Sequence, residues 1–419
     1  MLDRTKQPEL KTIDKIDFVA PIEYKINENV SLYHMKDVPN ATSRFDLYFD
    51  AGKCHGEGSI ASFVNGLILS GTEQKTSIEI NNEINSKGGF YESGVSQENS
   101  VISLYSLSEN LLEIFETITD AIENVAFIEK EVKEFLGDKK QGFNISLQKV
   151  NYLAQRAFQE DLFKSSQPYA KTTELSDFEH VQIDDLKSFH RRHYLKGLSK
   201  IVVVGDLDEA SIQTFINRAK DFVLEQKTEF ASDIQNKIGS RHVMKENAVQ
   251  SAVRVGRILF NKNHPDYLDF LVLNTILGDY FGSRLMSNIR EDKGYTYGIG
   301  TMVAELNETG YFMIATEVGT DVKEATLKEI QIELTRLKNE LVPLEEMELV
   351  KNYMLGQLLK SADGPYAMTD LFISAELHGL DLNFYNKAIN ALNEITPERI
   401  KALANKYLNW EEMTIVTAG

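Results

Sequence analysis

The chain has 419 residues, of which 42% are hydrophobic and 26% are charged, and this is the composition of a soluble globular protein. Two or more domains are expected, because a single hydrophobic core rarely serves more than about 250–300 residues. The formal net charge of −18 disfavours binding to nucleic acid or to an anionic membrane surface.

The single cysteine and the first residues bear on the compartment. Cys54 alone excludes an internal disulfide and a cysteine-rich zinc site, and we expect it to be a buried free thiol. The first residues lack the apolar segment of a signal peptide, and no apolar run reaches the roughly 18 residues of a membrane-spanning helix. We therefore expect a cytoplasmic protein with no membrane contact, unless a signal peptide has been removed.

The first half of the chain begins with an alternating segment. Residues 44–51 place Phe45, Leu47 and Phe49 on one face, which predicts a half-buried strand. The elements predicted after it are a helix at 59–70, a helix at 77–86 that ends at Gly88-Gly89, a strand at 101–107 and a helix at 111–122.

The second half shows the same order of signals. Its predicted elements are a strand at 253–260, helices at 267–277 and 283–290, a strand at 310–318 and a helix at 322–337. Each half closes with a helix that leads into a strand, at 200–204 and at 413–417. A repeat of roughly 200 residues is too long for a solenoid and indicates duplicated domains.

We predict an α+β protein of two homologous lobes, each a mainly antiparallel sheet with helices packed on one face. The N-terminal lobe is predicted at 1–224, a polar linker at 225–241 and the C-terminal lobe at 242–419. The strands at 103–107 and 311–316 either offer edges to which an extended peptide can add or lie inside their sheets, and the sequence leaves both possibilities open.

Five short motifs accompany this layout: Ala51-Gly52-Lys53, Leu69-Ser70-Gly71-Thr72, Gly88-Gly89, Gly205-Asp206 and the segment SRLMSNIREDKGYTYGIG at 283–300. With these motifs the chain resembles the pitrilysin/insulinase-type zinc metallopeptidases over nearly its whole length. It is most similar to the short bacterial subunits related to mitochondrial processing peptidase. The resemblance implies the duplicated two-lobe fold of that family.

The resemblance breaks at the metal site. Active members carry H-x-x-E-H on the first helix, where two histidines bind Zn²⁺ and the glutamate polarises the bound water. Counted back from Gly71-Thr72, those positions are Ser62, Asn65 and Gly66, and the position of a second glutamate falls near Gly142. None of these residues can replace an imidazole ligand or a carboxylate base. The resemblance therefore implies a member without metal or catalytic residues of its own.

The substrate-binding residues of the family are retained. In the resembling segment an arginine and a tyrosine seven residues later contact the scissile peptide, and here these are Arg290 and Tyr297. A guanidinium can bind a peptide carbonyl, and a phenol can donate to an oxyanion. The alternative interpretation is a surface arginine at a helix end and an ordinary strand tyrosine.

Because the zinc helix and this Arg/Tyr pair can lie on different chains in the family, the resemblance implies a heterodimer. The partner would be a homologous subunit that carries H-x-x-E-H and the zinc ion, and the substrate would be an extended peptide. Two other functions stay open. One is a structural or assembly scaffold with no role in proteolysis, and the other is an active zinc peptidase whose site follows no recognisable pattern.

The eight histidines offer no second metal site. Only His190 and His193 lie close in sequence, and with Arg191 and Arg192 between them they predict a solvated helix face. His55, in a glycine-rich loop, is interpreted as a loop residue and not as a ligand.

Overall fold

The structure is a computed structural model that describes residues 13–36, 38, 41–164, 167–224, 228 and 234–419. It contains two β-sheets. The strands of the first sheet are β1 (Ile22–Lys25), β2 (Ser31–Met35), β3 (Thr42–Phe49), β4 (Phe90–Val95), β5 (Ser100–Leu107) and β6 (Leu198–Val204). The strands of the second sheet are β7 (Gly239–Val243), β8 (Gln250–Leu259), β9 (Thr296–Glu305), β10 (Gly310–Gly319) and β11 (Thr414–Ala418).

Helices surround both sheets. Those before the second sheet are α1 (Ile60–Leu67), α2 (Ser77–Ser86), α3 (Leu111–Glu123), α4 (Glu129–Ser146), α5 (Val150–Leu162), α6 (Leu175–His180), α7 (Ile183–His193) and α8 (Glu209–Ala219). Those after it begins are α9 (Tyr267–Leu277), α10 (Lys323–Asn339), α11 (Leu344–Ser361), α12 (Pro365–Glu376), α13 (Asn383–Glu394) and α14 (Pro397–Tyr407). A π-helical turn, Met286–Asp292, lies where the sequence predicts an α-helix. No helix in the described part of the chain is long and apolar enough to cross a bilayer.

The sheets are mainly antiparallel, with the orders β1-β2-β6-β3-β5-β4 and β7-β11-β8-β10-β9. Each contains one parallel pair, β2 with β6 and β7 with β11. The predicted two-lobe α+β fold is thus confirmed. Strands β5 and β10 lie inside their sheets, so the segments 103–107 and 311–316 offer no free edge. The edges beside them are β4 and β9.

The segment predicted as a linker, 225–241, falls partly outside the described residues, at 225–227 and 229–233. Its last residues belong to β7, which pairs in parallel with β11 at the far side of the second sheet. Polar composition predicted a linker there because an exposed strand at a sheet edge, like a linker, can be polar.

The core of the first lobe forms where β3 meets α3. Alternation on β3 turns Phe45 toward the helix, and the three-to-four-residue spacing on α3 turns Ile114, Phe115 and Ile118 toward the sheet. The rings of Phe45 and Phe115 lie 4.6 Å apart, and that of Phe215 lies 4.8 Å from Phe45. Each such buried side chain contributes about 1.5–3 kcal/mol of transfer free energy.

The other face of β3 is also covered, although its alternation predicts a half-buried strand. Arg44 and Asp46 are buried there, and Arg44 binds both Asp46 at 3.0 Å and Asp370 of α12 at 2.7 Å. On the same face Tyr33 packs edge-on against Phe372, also of α12, with ring centroids 4.8 Å apart. A helix from the C-terminal half therefore covers the sheet of the N-terminal half.

The reverse contact covers the second sheet. Helix α5, from the N-terminal half, packs Ala154 and Phe158 against Ala252 and Val416 of that sheet. Its Gln155 accepts a hydrogen bond from Arg254 Nε at 3.1 Å. Phe158 approaches so closely that a Cβ at Gly256 would lie 2.8 Å from its ring. We call this reciprocal covering by α5 and α12 the helix exchange.

The two halves also meet at their hairpins. Glu98, in the turn between β4 and β5, is 7% exposed. Its Oε1 atom accepts a hydrogen bond from Tyr169 Oη at 2.5 Å and another from the backbone N–H of Asn307, in the turn between β9 and β10, at 2.7 Å. Burial raises the pKa of this carboxyl group, against the opposing effect of the two hydrogen bonds.

Candidate functional site

Helix α1 carries the three residues predicted to stand where the related peptidases have H-x-x-E-H. Its apolar face, with Phe63, Val64 and Leu67, is buried in the core of the first lobe. Of the three predicted positions, Ser62 is half-buried, Asn65 is buried and Gly66 is exposed. The helix therefore has the orientation that its apolar spacing predicts. The contacts of Asn65 and Gly66 are those of packing residues.

Asn65 belongs to a buried hydrogen-bonded group. Its Nδ2 atom donates to Ser100 Oγ at 2.8 Å and to Tyr194 Oη at 3.2 Å, and those two hydroxyls lie 2.7 Å apart. Burial raises the pKa of Tyr194 to about 12, so its hydroxyl stays protonated at neutral pH. Asn65 thus ties α1 to β5 and α7 and presents no free group to a ligand.

Gly66 lies against an aromatic ring of α4. A Cβ built on residue 66 would be 2.5 Å from Phe135 Cζ, and Phe63 also meets this ring, at 6.4 Å between centroids. A side chain at position 66 would therefore require the Phe135 ring to move. Gly142, later on α4, is exposed, with open space around its Cβ direction.

These residues do not fit a zinc ion. The asparagine amide is engaged in the core, the position of the second histidine is blocked by Phe135, and serine and glycine supply no suitable ligand. No group of three or more His, Cys, Asp or Glu side chains in the described ranges could hold a metal ion.

The prediction of a solvated face at His190 and His193 is wrong. Both residues are buried, with 4% and 8% exposure, and each imidazole bonds a distant backbone carbonyl. His190 Nε2 lies 2.7 Å from the oxygen of Ile122, and His193 Nδ1 lies 2.8 Å from that of Asp50. Burial lowers the pKa of both rings, so they are neutral at pH 7. They are structural ties, and only the arginines between them face solvent.

His55 and Cys54 lie in a short 3-10 turn beside these ties. The His55 ring is buried, with Nε2 2.9 Å from the backbone oxygen of Glu98 and 3.1 Å from Asp50 Oδ1. Cys54 is a buried free thiol, as predicted, and burial together with Glu98 and Asp50 raises its pKa. Neither residue is placed to act as a nucleophile at neutral pH.

The structure brings Arg290 and Tyr297 together in the second lobe. Arg290 lies in the π-helical turn, and its Nε atom donates a hydrogen bond to the backbone oxygen of Tyr297 at 3.0 Å. The Tyr297 side chain points outward and is 95% exposed. The pairing of β9 with β10 shifts register between Thr316 and Val318, and such a bulge re-aims a side chain at a sheet edge.

Phe281 belongs to the same arrangement, although it is not among the residues predicted from the sequence. The Arg290 guanidinium lies over the Phe281 ring, 4.7 Å from its centroid. The Arg290 side chain is 34% exposed, and its Nη1 atom lies 3.8 Å from Glu291 Oε1. With the ring on one face and Nε bonded, the terminal nitrogens are the donors that a ligand can use. The signal in the sequence that could have identified Phe281 is a phenylalanine close before the motif arginine.

A groove of about 370 Å³ adjoins Tyr297. Its walls come from both halves of the chain, with Gly298 and Thr316 from the second sheet and Asn151 from the start of α5. Asn151 Nδ2 donates to Glu317 Oε1 at 2.6 Å across this groove. The exposed tyrosine and the half-buried arginine beside this groove can bind the carbonyl oxygens of an extended peptide.

Comparison with known proteins places helix α1 and the Arg290/Tyr297 segment in two domains of one protein family. Residues 33–171, which include α1, match the family model of insulinase (peptidase family M16), and residues 180–354, which include Arg290 and Tyr297, match that of the peptidase M16 inactive domain. The two matches together cover most of the chain. The protein belongs to family M16.

The relatives in family M16 have low sequence identity to this chain but align with it over most of its length. An uncharacterized zinc protease of Rickettsia felis is 25% identical over 317 residues, which span 73% of this chain and 74% of that protein. A probable inactive metalloprotease of Bacillus subtilis, YmfF, is 23% identical over 263 residues, 61% of this chain and 60% of its own. A solved M16 inactive-domain structure from Pseudomonas fluorescens shares the fold, with a TM-score of 0.85 and 24% identity over 96% of this chain and 98% of that one.

Proposed function

We propose that this chain is the non-catalytic subunit of a two-chain zinc metalloendopeptidase. It supplies Arg290 and Tyr297 to the active site of a homologous partner and forms half of a peptide-binding chamber. The observation that carries the proposal is the contrast between the two lobes. In the first lobe the residues predicted at the metal positions are crowded or already hydrogen-bonded, whereas in the second lobe Tyr297 is exposed and the half-buried Arg290 is held beside it.

The residues present suit this role. Arg290 can bind a substrate carbonyl through its terminal nitrogens, and the Tyr297 phenol can donate to an oxyanion that develops on the scissile carbonyl. Neither side chain can activate water, so hydrolysis requires a catalytic base and a zinc ion that this chain does not provide. The partner is therefore a family M16 chain with an intact H-x-x-E-H helix.

The edge strand β9 supports an extended peptide as the substrate. Its outer side pairs with no other strand of the described residues, although the N–H groups of Ile299 and Thr301 bond Met286 Sδ at 3.5 Å and the Gly278 carbonyl at 3.2 Å, so a peptide main chain can pair only at the other positions of this edge. The groove beside Tyr297 can receive a side chain of that peptide. Recognition through main-chain hydrogen bonds admits many sequences.

The test is to co-express this chain with the homologous H-x-x-E-H chain of the same genome and follow cleavage of a quenched fluorescent peptide. We expect the isolated chain to cleave nothing and the pair to be active. Arg290→Ala and Tyr297→Phe should each lower the turnover of the pair by about 10²-fold, as expected for a lost transition-state donor.

Matched controls are Arg191→Ala, an exposed arginine on α7, and Tyr24→Phe on the opposite lobe, which should leave turnover unchanged. Full activity of the pair with both Arg290→Ala and Tyr297→Phe would overturn the proposal and favour a scaffold without a role in proteolysis. Peptide cleavage by the isolated chain with stoichiometric zinc would show an active peptidase instead.

A further inference from the structure

A second groove, of about 740 Å³, lies on the other side of the π-helical turn, between that turn and helices α10 and α11. Ser287, Asn288 and Asp292 line it from the turn, whereas Arg290 of the same turn lies against Phe281 and Tyr297. The groove is therefore distinct from the arrangement proposed for substrate binding.

The charge of this groove is negative. Its basic residues are Arg284, Lys293 and Arg336, and each is paired within the groove. Arg284 binds Glu346 through two bonds of 2.8 and 2.9 Å, Arg336 lies 3.1 Å from Glu333, and Lys293 lies 3.6 Å from Glu329.

Two carboxylates of the groove stay uncompensated. No ion pair joins Asp292 or Glu345 to a basic group of the described residues, and both are exposed. A surface with unpaired carboxylates beside several paired ones attracts cations and repels acidic chains.

Apolar side chains stand beside these charges. Leu349 is 56% exposed and Leu341 50%, and with Ile332 they form one wall of the groove. Large apolar side chains gathered on an exposed face mark an interaction surface more often than those scattered singly.

The groove also holds an unused hydrogen-bond donor. Arg284 Nη1 is buried and has no partner among the described residues, although the rest of the guanidinium is bound by Glu346. A buried donor without a partner is unfavourable, and a shift of the Arg284 side chain would bring it to a carbonyl oxygen in the groove.

We propose that this groove binds a basic, amphipathic segment of another polypeptide. Its apolar side chains would pack on Leu341 and Leu349, its lysine or arginine side chains would meet Asp292 and Glu345, and a main-chain carbonyl would accept from Arg284. A second copy of this chain fits poorly, because its net charge of −18 opposes an acidic groove. The inference does not depend on a role in proteolysis.

The experiment uses the full chain and a fluorescein-labelled short peptide of alternating leucine and lysine, titrated by fluorescence anisotropy. We expect saturable binding that weakens with salt, because the charges are exposed. Two matched peptides should bind at least about tenfold more weakly. A peptide of alternating leucine and glutamate lacks the positive charges, and a peptide of alternating serine and lysine lacks the apolar side chains.

Variants of the groove locate the binding. Glu345→Lys and Leu349→Ser should each weaken binding of the leucine–lysine peptide at least about tenfold. The controls are Leu359→Ser, at an exposed leucine on the same helix outside the groove, and Glu131→Lys on α4, and both should bind the peptide as the unchanged protein does. Absence of saturable binding, or equal losses in groove and control variants, would overturn the proposal. So would self-association of the chain that Leu349→Ser abolishes, since the occupant would then be a second copy.

Discussion

Asn65 and Gly66 of α1 take part in the packing of the first lobe. The apolar residues of α1 still pack into the first lobe, while Asn65 bonds Ser100 and Tyr194 and Gly66 lets Phe135 lie against the helix. The residues predicted to stand at the metal positions serve packing and hydrogen bonding in this structure. A return to metal binding therefore needs changes in α4 as well as in α1.

A prediction follows for the triple variant Ser62→His, Asn65→Glu and Gly66→His. It should bind no stoichiometric zinc, and its free energy of unfolding should fall by about 2–6 kcal/mol. Removing Asn65 leaves buried hydroxyls without their partner, at about 1–3 kcal/mol. A side chain at 66 overpacks the contact with Phe135, at about another 1–3 kcal/mol.

Metal analysis after dialysis against zinc, with urea unfolding, tests this. Ser62→His alone is the control and should stay close to the unchanged protein, because Ser62 is only half-buried. Stoichiometric zinc in the triple variant at full stability would show that the positions still form a metal site.

At the scale of elements, the hairpin turns of the two sheets are joined through Glu98. Since burial raises the pKa of this carboxyl group in the folded protein above its unfolded value, the folded state binds the proton more tightly. The contribution of Glu98 to stability is then greatest at acidic pH and declines as pH rises through the folded pKa. The titratable neighbours of this carboxyl group are Tyr169, Cys54, His55 and Glu308.

We predict that Glu98→Gln makes the free energy of unfolding depend less on pH above about pH 4.5, where the unfolded carboxyl group ionises. The glutamine oxygen can still accept from Tyr169 and from the N–H of Asn307, so the fold should persist. Urea unfolding of both proteins at several pH values measures the slopes. Glu92→Gln, on the exposed strand β4, is the control. Equal slopes for Glu98→Gln and the unchanged protein would contradict this prediction.

The sequence predicted most of these elements because their signals are local. The predicted helices at 77–86 and 267–277 have the bounds found in the structure. A capping box of Thr76 and Glu79 begins the first, and the second is a nearly continuous apolar run that ends before Gly278. It missed the buried histidines because their partners, the carbonyls of Ile122 and Asp50, lie 68 and 143 residues away. The π-helical turn was predicted as an ordinary helix because the two differ in hydrogen bonding and not in composition.

At the candidate site the sequence placed Arg290 and Tyr297 near each other but did not include Phe281. A motif specifies residues by position along the chain, whereas a stacking contact depends on how the loop before the π-helical turn folds back. The polar face of β3 shows the same limit. Arg44 and Asp46 have the alternation of a solvated face, yet a helix more than 300 residues away covers them.

At the scale of the molecule, the helix exchange couples the two halves. Without α12, the face of the first sheet that carries Arg44 and Tyr33 would be open to water. Without the second sheet, the apolar side of α5 would have nothing to pack against. Buried Arg44 would also lose Asp370 and keep only Asp46 as a counter-charge.

We therefore predict that residues 1–224, expressed alone, do not form a stable monomer, whereas co-expression with residues 234–419 restores a folded complex. Circular dichroism, thermal unfolding and size-exclusion chromatography measure both outcomes. The full chain should unfold in one transition, because the exchange links the two cores. A folded, monomeric fragment 1–224 with its own sharp transition would contradict this account.

The exchange has a geometric consequence for shorter chains. A chain of half this length would expose one bare sheet and one helix with no surface to cover. Two such chains could bury both exposed surfaces by exchanging that helix about a two-fold axis, as domain-swapped protomers do. In the single chain described here, α5 and α12 cover the sheets in the way that the exchanged helices of such a domain-swapped dimer would. The two halves that correspond to the protomers are joined in one polypeptide.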